Sequence, residues 1–156
     1  MSISYKKILK KYIKKNISLS VAESCTGGKI ANEIVKIPGI SKIFSLGLIT
    51  YSNHSKMKIL KIKKNNLIKY GAVSKQIAKE MVINLQNISG SNCCISTTGI
   101  AGPDGSTKKK PVGLVYIGLA YKKKVIIYKK YFKGTRIEVQ RKITKFVFLI
   151  LKKIIL

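Results

Sequence analysis

Five short apolar, β-prone runs alternate with segments whose hydrophobic residues recur every three or four positions, and this alternation limits the fold more than any other feature. Strands are predicted near 17–22, over 44–52 with Gly47 inside the run, and over 93–97. Helical patterns cover 3–15, with Leu9, Tyr12 and Ile13 on the inner face, and 27–37, stopping before Pro38-Gly39. Two more cover 54–60 and 75–87, the latter with Ser74 as its N-cap. Residues 113–121 and 125–132 read as an antiparallel pair joined by a lysine-rich turn. A last helix over 136–155 carries apolar residues at 143, 146, 147, 150 and 154. Helices interleaved with strands, plus one hairpin, predict an α/β fold, a three-layer α/β/α sandwich around a mixed sheet. A length of 156 residues suffices for one buried core, and no linker, repeat or low-complexity tract divides it, so a single domain over 1–156 is expected.

Charge is the obvious oddity. The chain carries 32 basic residues against 5 acidic ones, for a formal net charge of +27. Such a balance points to nucleic acid or an anionic membrane. Its make-up points elsewhere. Only Arg136 and Arg141 are arginine, and the lysines are spread along the whole chain among frequent isoleucine and asparagine. That is a compositional drift, not a groove built for phosphates, where arginine forks and interleaved aromatics are expected. The expectation is therefore a solvated lysine surface with neither nucleic acid nor membrane as partner. The apolar run Phe146–Leu151 is far shorter than the roughly 20 residues a membrane-spanning helix needs. The lysine-rich N-terminus has no apolar signal stretch, and three cysteines, two of them adjacent, make no disulfide framework. A reducing cytoplasm is the expected compartment. The single His54 has no acid or cysteine cluster around it, so no metal site is expected.

Against this uniform background four segments stand out: Ala22–Gly28; Thr50-Tyr51-Ser52-Asn53 with Lys56; Gly71–Ser74; and Thr98–Gly105. All fall at predicted strand ends or helix starts, where α/β sheets usually bind ligands. In the first, an apolar strand ends in Glu23-Ser24-Cys25-Thr26 and two glycines, and a helix follows. Ser24 there is either a helix cap or a nucleophile beside backbone N–H groups. Cys25 is the stronger nucleophile by nature but has no paired histidine, and Thr26 reads as a cap or a substrate contact. The glycine-rich fourth segment is either a surface turn or a phosphate- or ribose-lining loop. Arg136 and Arg141, five residues apart, are either chance surface arginines or a fork for a phosphate or carboxylate.

Taken together and in order, these segments resemble the CinA C-terminal-domain family, the nicotinamide-nucleotide amidohydrolases, over nearly the full chain. The carrying residues are A-E-S-C-T-G-G at 22–28, G-L-I-T-Y-S-N at 47–53 with Lys56, G-A-V-S at 71–74, T-G-I-A-G-P-D-G at 98–105, P-V-G at 111–113 and G-T-R at 134–136. The family's domain occurs fused behind a larger domain or alone, and the stand-alone form is expected here. The resemblance implies hydrolysis of the carboxamide of nicotinamide mononucleotide to nicotinate mononucleotide and ammonia, in pyridine-nucleotide recycling, without metal or organic cofactor. It also implies a homodimer or larger homo-oligomer. By motif position Ser24 is the nucleophile, Lys56 the base and Tyr51 its helper. Thr26, Gly27, Gly28, Gly99, Ala101, Gly102, Arg136 and Arg141 are the expected substrate contacts. N–H groups near Gly27-Gly28 or in the 99–102 loop would hold the oxyanion, and burial, a helix N-terminus and positive surroundings would lower the lysine's pKa. Thr97 departs from the family pattern, where an aliphatic residue is usual. Two rivals remain at this stage: an inactive nucleotide-binding protein of the same fold and a basic nucleic-acid-binding protein.

Overall fold

In the computed structural model, which describes residues 4–156, the N-terminal helix α1 spans Tyr5–Lys14, and the predicted start of that helix at residue 3 lies outside the described residues. Then follow β1 (Leu19–Glu23), α2 (Lys29–Val35), a single 3₁₀ turn at Ile40–Lys42, β2 (Phe44–Ile49) and α3 (Asn53–Leu60). The second half comprises α4 (Lys64–Tyr70), α5 (Lys75–Ser89), β3 (Cys93–Gly99), β4 (Leu114–Tyr121), β5 (Lys124–Tyr131) and α6 (Arg136–Ile154). The strands form one sheet in the order β2-β1-β3-β4-β5. β1 is parallel to both β2 and β3, whereas β4 and β5 run antiparallel. The mixed α/β/α sandwich expected from the alternation is the observed fold.

Period-two alternation in β3 distributes its side chains to the two helical layers. Cys93 and Ile95 join a core built with α1, α2 and α6, including Leu9, Tyr12, Ile34, Ile143 and Phe148. Cys94 faces a second core formed with α3, α4 and α5, including Leu60, Leu67, Ile77, Met81 and Leu85. Polar members of β3 find partners inside these layers: Ser96 Oγ donates to the Ala78 carbonyl at 2.8 Å and Thr98 Oγ1 to the Ala72 carbonyl at 2.8 Å. Thr97 Oγ1 lies 2.9 Å from Thr26 Oγ1, and both residues are buried. The departure from the family pattern at 97 is thus matched by a hydroxyl opposite it. Gly118 on β4 lets α5 lie close to the sheet, since a Cβ there would stand 2.9 Å from the Ala78 carbonyl oxygen and 3.0 Å from Val82 Cβ.

One element departs from expectation. No helix was predicted between 61 and 70, yet α4 forms there. Its N-cap position, Lys63, supplies no capping side chain. Glu80 of α5 does so from outside the segment, accepting from Lys63 N at 2.8 Å with one oxygen and from Asn66 Nδ2 at 2.8 Å with the other. A cap provided by tertiary structure leaves no local signature. Among the described residues no helix is long and apolar enough to cross a membrane.

Candidate active site

The three parallel strands end side by side, and each hands its chain to one wall of a cavity of about 270 Å³. Ser24 follows β1, Tyr51 follows β2, and Gly99 ends β3 with Ile100–Gly102 following it. Ala72, Val73, Asp104 and Gly105 complete the rim with Arg136, the first residue of α6. Larger hollows elsewhere, such as the groove between α4 and α5, carry none of the motif residues. The strand-end location is the one expected of a ligand site in an α/β sheet.

Lys56 reaches this cavity because Ser52 starts α3. Ser52 Oγ accepts from Ser55 N at 3.0 Å, which fixes the first helical turn and turns position 56 inward. The lysine is 1% exposed. Its Nζ lies 2.9 Å from Ser24 Oγ, 2.8 Å from the Thr50 carbonyl and 3.0 Å from the Tyr51 carbonyl. Charged, the ammonium donates to all three. Neutral, it has two N–H groups for the two carbonyls and one lone pair left for the serine hydroxyl. Burial pulls its pKa down from the usual lysine value to about 8, opposed weakly by Cys25. No neighbouring cation contributes to that shift, so the anticipated role of positive surroundings is not what lowers it.

The chain also corrects the assignment of the turn. Gly27 and Gly28 adopt left-handed φ values of +57° and +93°, the conformation glycine takes most readily, but neither lines the cavity. Gly27 N donates to the Ser24 carbonyl at 3.1 Å and Gly28 N to Glu23 Oε2 at 3.1 Å. With both engaged, these two N–H groups hold no oxyanion. Among the described residues the N–H groups of Cys25, Ala101 and Gly102, which all line the cavity, take no acceptor. Thr26 is buried against Thr97 and does not line the cavity either. Cys25 does, but burial pushes its thiol up to about 12, which keeps it protonated and a poor nucleophile.

Of the two arginines, the structure brings only Arg136 to the cavity. Its Nη1 donates to the Gly102 carbonyl at 2.7 Å and its Nη2 to Tyr51 Oη at 2.7 Å, so the guanidinium ties the loop after β3 to the loop after β2. Arg141 is exposed on α6 and lines no part of this cavity. Tyr51 supports Lys56 through its carbonyl, while its hydroxyl faces the arginine. Ser24, Lys56, Tyr51, Gly99, Ala101, Gly102 and Arg136 are therefore gathered in one place, and Thr26, Gly27, Gly28 and Arg141 are not. Glu23, one of five acids and set in a glycine-containing motif, is given no site role by the sequence beyond that of a helix-start residue type, and the structure buries it.

Comparison with known proteins identifies the family of the chain. The profile of the CinA C-terminal domain matches residues 2–155. A CinA-like protein of Endomicrobium trichonymphae is 53% identical over 125 residues, covering 80% of this chain and 29% of that protein. A CinA-like protein of Fusobacterium nucleatum is 49% identical over 128 residues, covering 82% of this chain and 31% of that protein. The chain thus spans less than a third of the length of these curated relatives. Among solved structures, the competence/damage inducible protein CihA from Agrobacterium tumefaciens superposes with a TM-score of 0.88 at 31% identity, covering 97% of both chains. The competence or damage-inducible protein from Enterobacter asburiae superposes at 0.93 and 25% identity, covering 99% of this chain and all of that one. With its fold, its motif order and its sequence matched from end to end, the chain belongs to the CinA C-terminal-domain family.

Proposed function

We propose that this domain hydrolyses the carboxamide of nicotinamide mononucleotide, using Ser24 as nucleophile and Lys56 as base. The observation that carries the reading is the buried 2.9 Å contact between Lys56 Nζ and Ser24 Oγ, with both remaining lysine donors held by carbonyls. Neutral Lys56 takes the hydroxyl proton as Oγ adds to the carboxamide carbon. The N–H groups of Cys25, Ala101 and Gly102 are the available donors for the resulting oxyanion, each worth about 3–4 kcal/mol of barrier when aligned. The ammonium of Lys56 then returns the proton to the departing nitrogen, and the C–N bond breaks to give ammonia and an acyl-serine. Water, deprotonated by the same lysine, cleaves the ester and leaves nicotinate mononucleotide. Arg136 supplies the fixed positive charge at the cavity rim for the substrate phosphate. Incubation with the mononucleotide and assay of ammonia tests the reading. Release by the wild type and none by Ser24→Ala is the expected result; binding without release in the wild type would overturn it in favour of a nucleotide-binding protein.

A further inference from the structure

Glu23 is 1% exposed, in a chain with 32 bases and 5 acids. No cation approaches it: the one ion pair among the described residues is Lys36–Glu33. Instead its carboxylate accepts three backbone N–H groups, from Ala31 at 2.8 Å on Oε1 and from Gly28 at 3.1 Å and Ile30 at 3.2 Å on Oε2. Two of these N–H groups belong to the first turn of α2 and the third to its N-cap residue, Gly28, which has no side chain to offer them.

A serine or asparagine at position 28 would satisfy some of the same donors. Capping from position 23 does something a local cap does not. It closes a ring from the last residue of β1 through the side chain to α2, and the main chain enclosed by that ring is Ser24-Cys25-Thr26-Gly27. The same residue also reaches the lysine. Its carbonyl accepts from Thr50 N at 2.8 Å, and the Thr50 carbonyl in turn accepts from Lys56 Nζ at 2.8 Å. One residue thus anchors the serine by its side chain and an acceptor of the lysine by its main chain.

We infer that Glu23 is a positioning residue of this site, holding Ser24 Oγ against Lys56 by locking the turn between β1 and α2. It touches no part of the cavity, so it acts on the alignment of the reacting pair and not on the ligand. The inference rests on the hydrolytic reading for its role in turnover, but its geometry is testable without turnover. A misplacement of about 1 Å at a reacting centre costs on the order of a hundredfold in rate.

Two variants separate positioning from folding. Glu23→Gln places an amide donor among N–H donors and loses an acceptor. Ala31→Pro removes one of the three donors in the first turn of a helix, where proline is tolerated, and leaves the carboxylate untouched. Each is compared with the wild type by the rate at which a fluorophosphonate labels Ser24, read by mass spectrometry, and by kcat and KM for ammonia release, below the melting temperature. Expected are labelling and kcat lowered about tenfold or more in Glu23→Gln and less in Ala31→Pro, with KM changed less than about twofold. Equal labelling of wild type and Glu23→Gln, including none in either, overturns the inference, as does a Glu23→Gln protein that is unfolded at the assay temperature. A wild type that labels at Ser24 but releases no ammonia sinks the proposed function alone, and the labelling rates still decide for Glu23.

Discussion

Lys56 Nζ stands 2.9 Å from Ser24 Oγ across a sequence separation of 32 residues, inside a site where the lysine is almost wholly removed from water. The base must be neutral to accept the serine proton, and burial sets its pKa at about 8. The activity proposed here therefore rises with pH up to that value and levels off above it, falling about tenfold per unit below. A profile of kcat/KM from pH 6 to 10 checks this; a flat profile would remove Lys56 as the base. The same shift has a consequence for folding. In the unfolded chain the lysine holds its proton to higher pH, so between about 8 and the ordinary lysine value the unfolded state binds more protons, and this residue makes stability increase with pH across that window.

Lys56→Arg keeps the positive charge but has no neutral form at working pH. Ammonia release is expected to fall by at least about a hundredfold, the scale of a lost general base. Retention of most of the rate would show that the proton goes elsewhere.

Arg136 bridges the Gly102 carbonyl and Tyr51 Oη with two nitrogens of one planar group. A lysine at 136 lacks the planar two-nitrogen fork that makes this bridge. Arg136→Lys is expected to raise KM for the mononucleotide by about tenfold or more, the scale of a lost charge-assisted hydrogen bond. Arg141→Lys, on an exposed part of α6, leaves KM unchanged. Measured constants for the two variants side by side test the assignment of the phosphate contact to one arginine.

Gly118→Ala would press a methyl group against the Ala78 carbonyl and Val82 of α5. Overpacking of this kind costs about 1–3 kcal/mol. Thermal denaturation should show a lower midpoint, by several degrees, and an unchanged midpoint would mean that α5 can retreat from the sheet without cost.

Ionic strength supplies a further check. With a formal charge of +27, salt should raise the melting temperature by screening self-repulsion. A midpoint that falls as sodium chloride is raised from low concentration to roughly 0.5 M, where screening is nearly saturated, would contradict this.

The sandwich was legible because each strand and most helices carry their own periodicity, and Ser24 was legible because a strand, a reactive cluster and two glycines meet in seven residues. Lys56 was legible only by its place in a motif, since composition gives no reason to choose it among so many lysines. What stayed hidden was non-local. The N–H groups of Gly27 and Gly28 looked free until Ser24 and Glu23 were seen to accept from them. Arg141, expected as the second choice after Arg136 for the substrate phosphate, lies five residues along the helix and lines no part of the cavity. Ala72 and Val73 line the site from the segment just before α5, where Thr98 Oγ1 donates to the Ala72 carbonyl.

The cap that Glu80 places on α4 makes the order of assembly one-directional. A seven-residue helix with no cap of its own is too short to persist alone. α5, with its own Ser74 cap and a length of 15 residues, must be in place before α4 has its partner. The segment that walls one side of the second core is therefore a dependent unit, whose amide protons exchange no more slowly than those of α5.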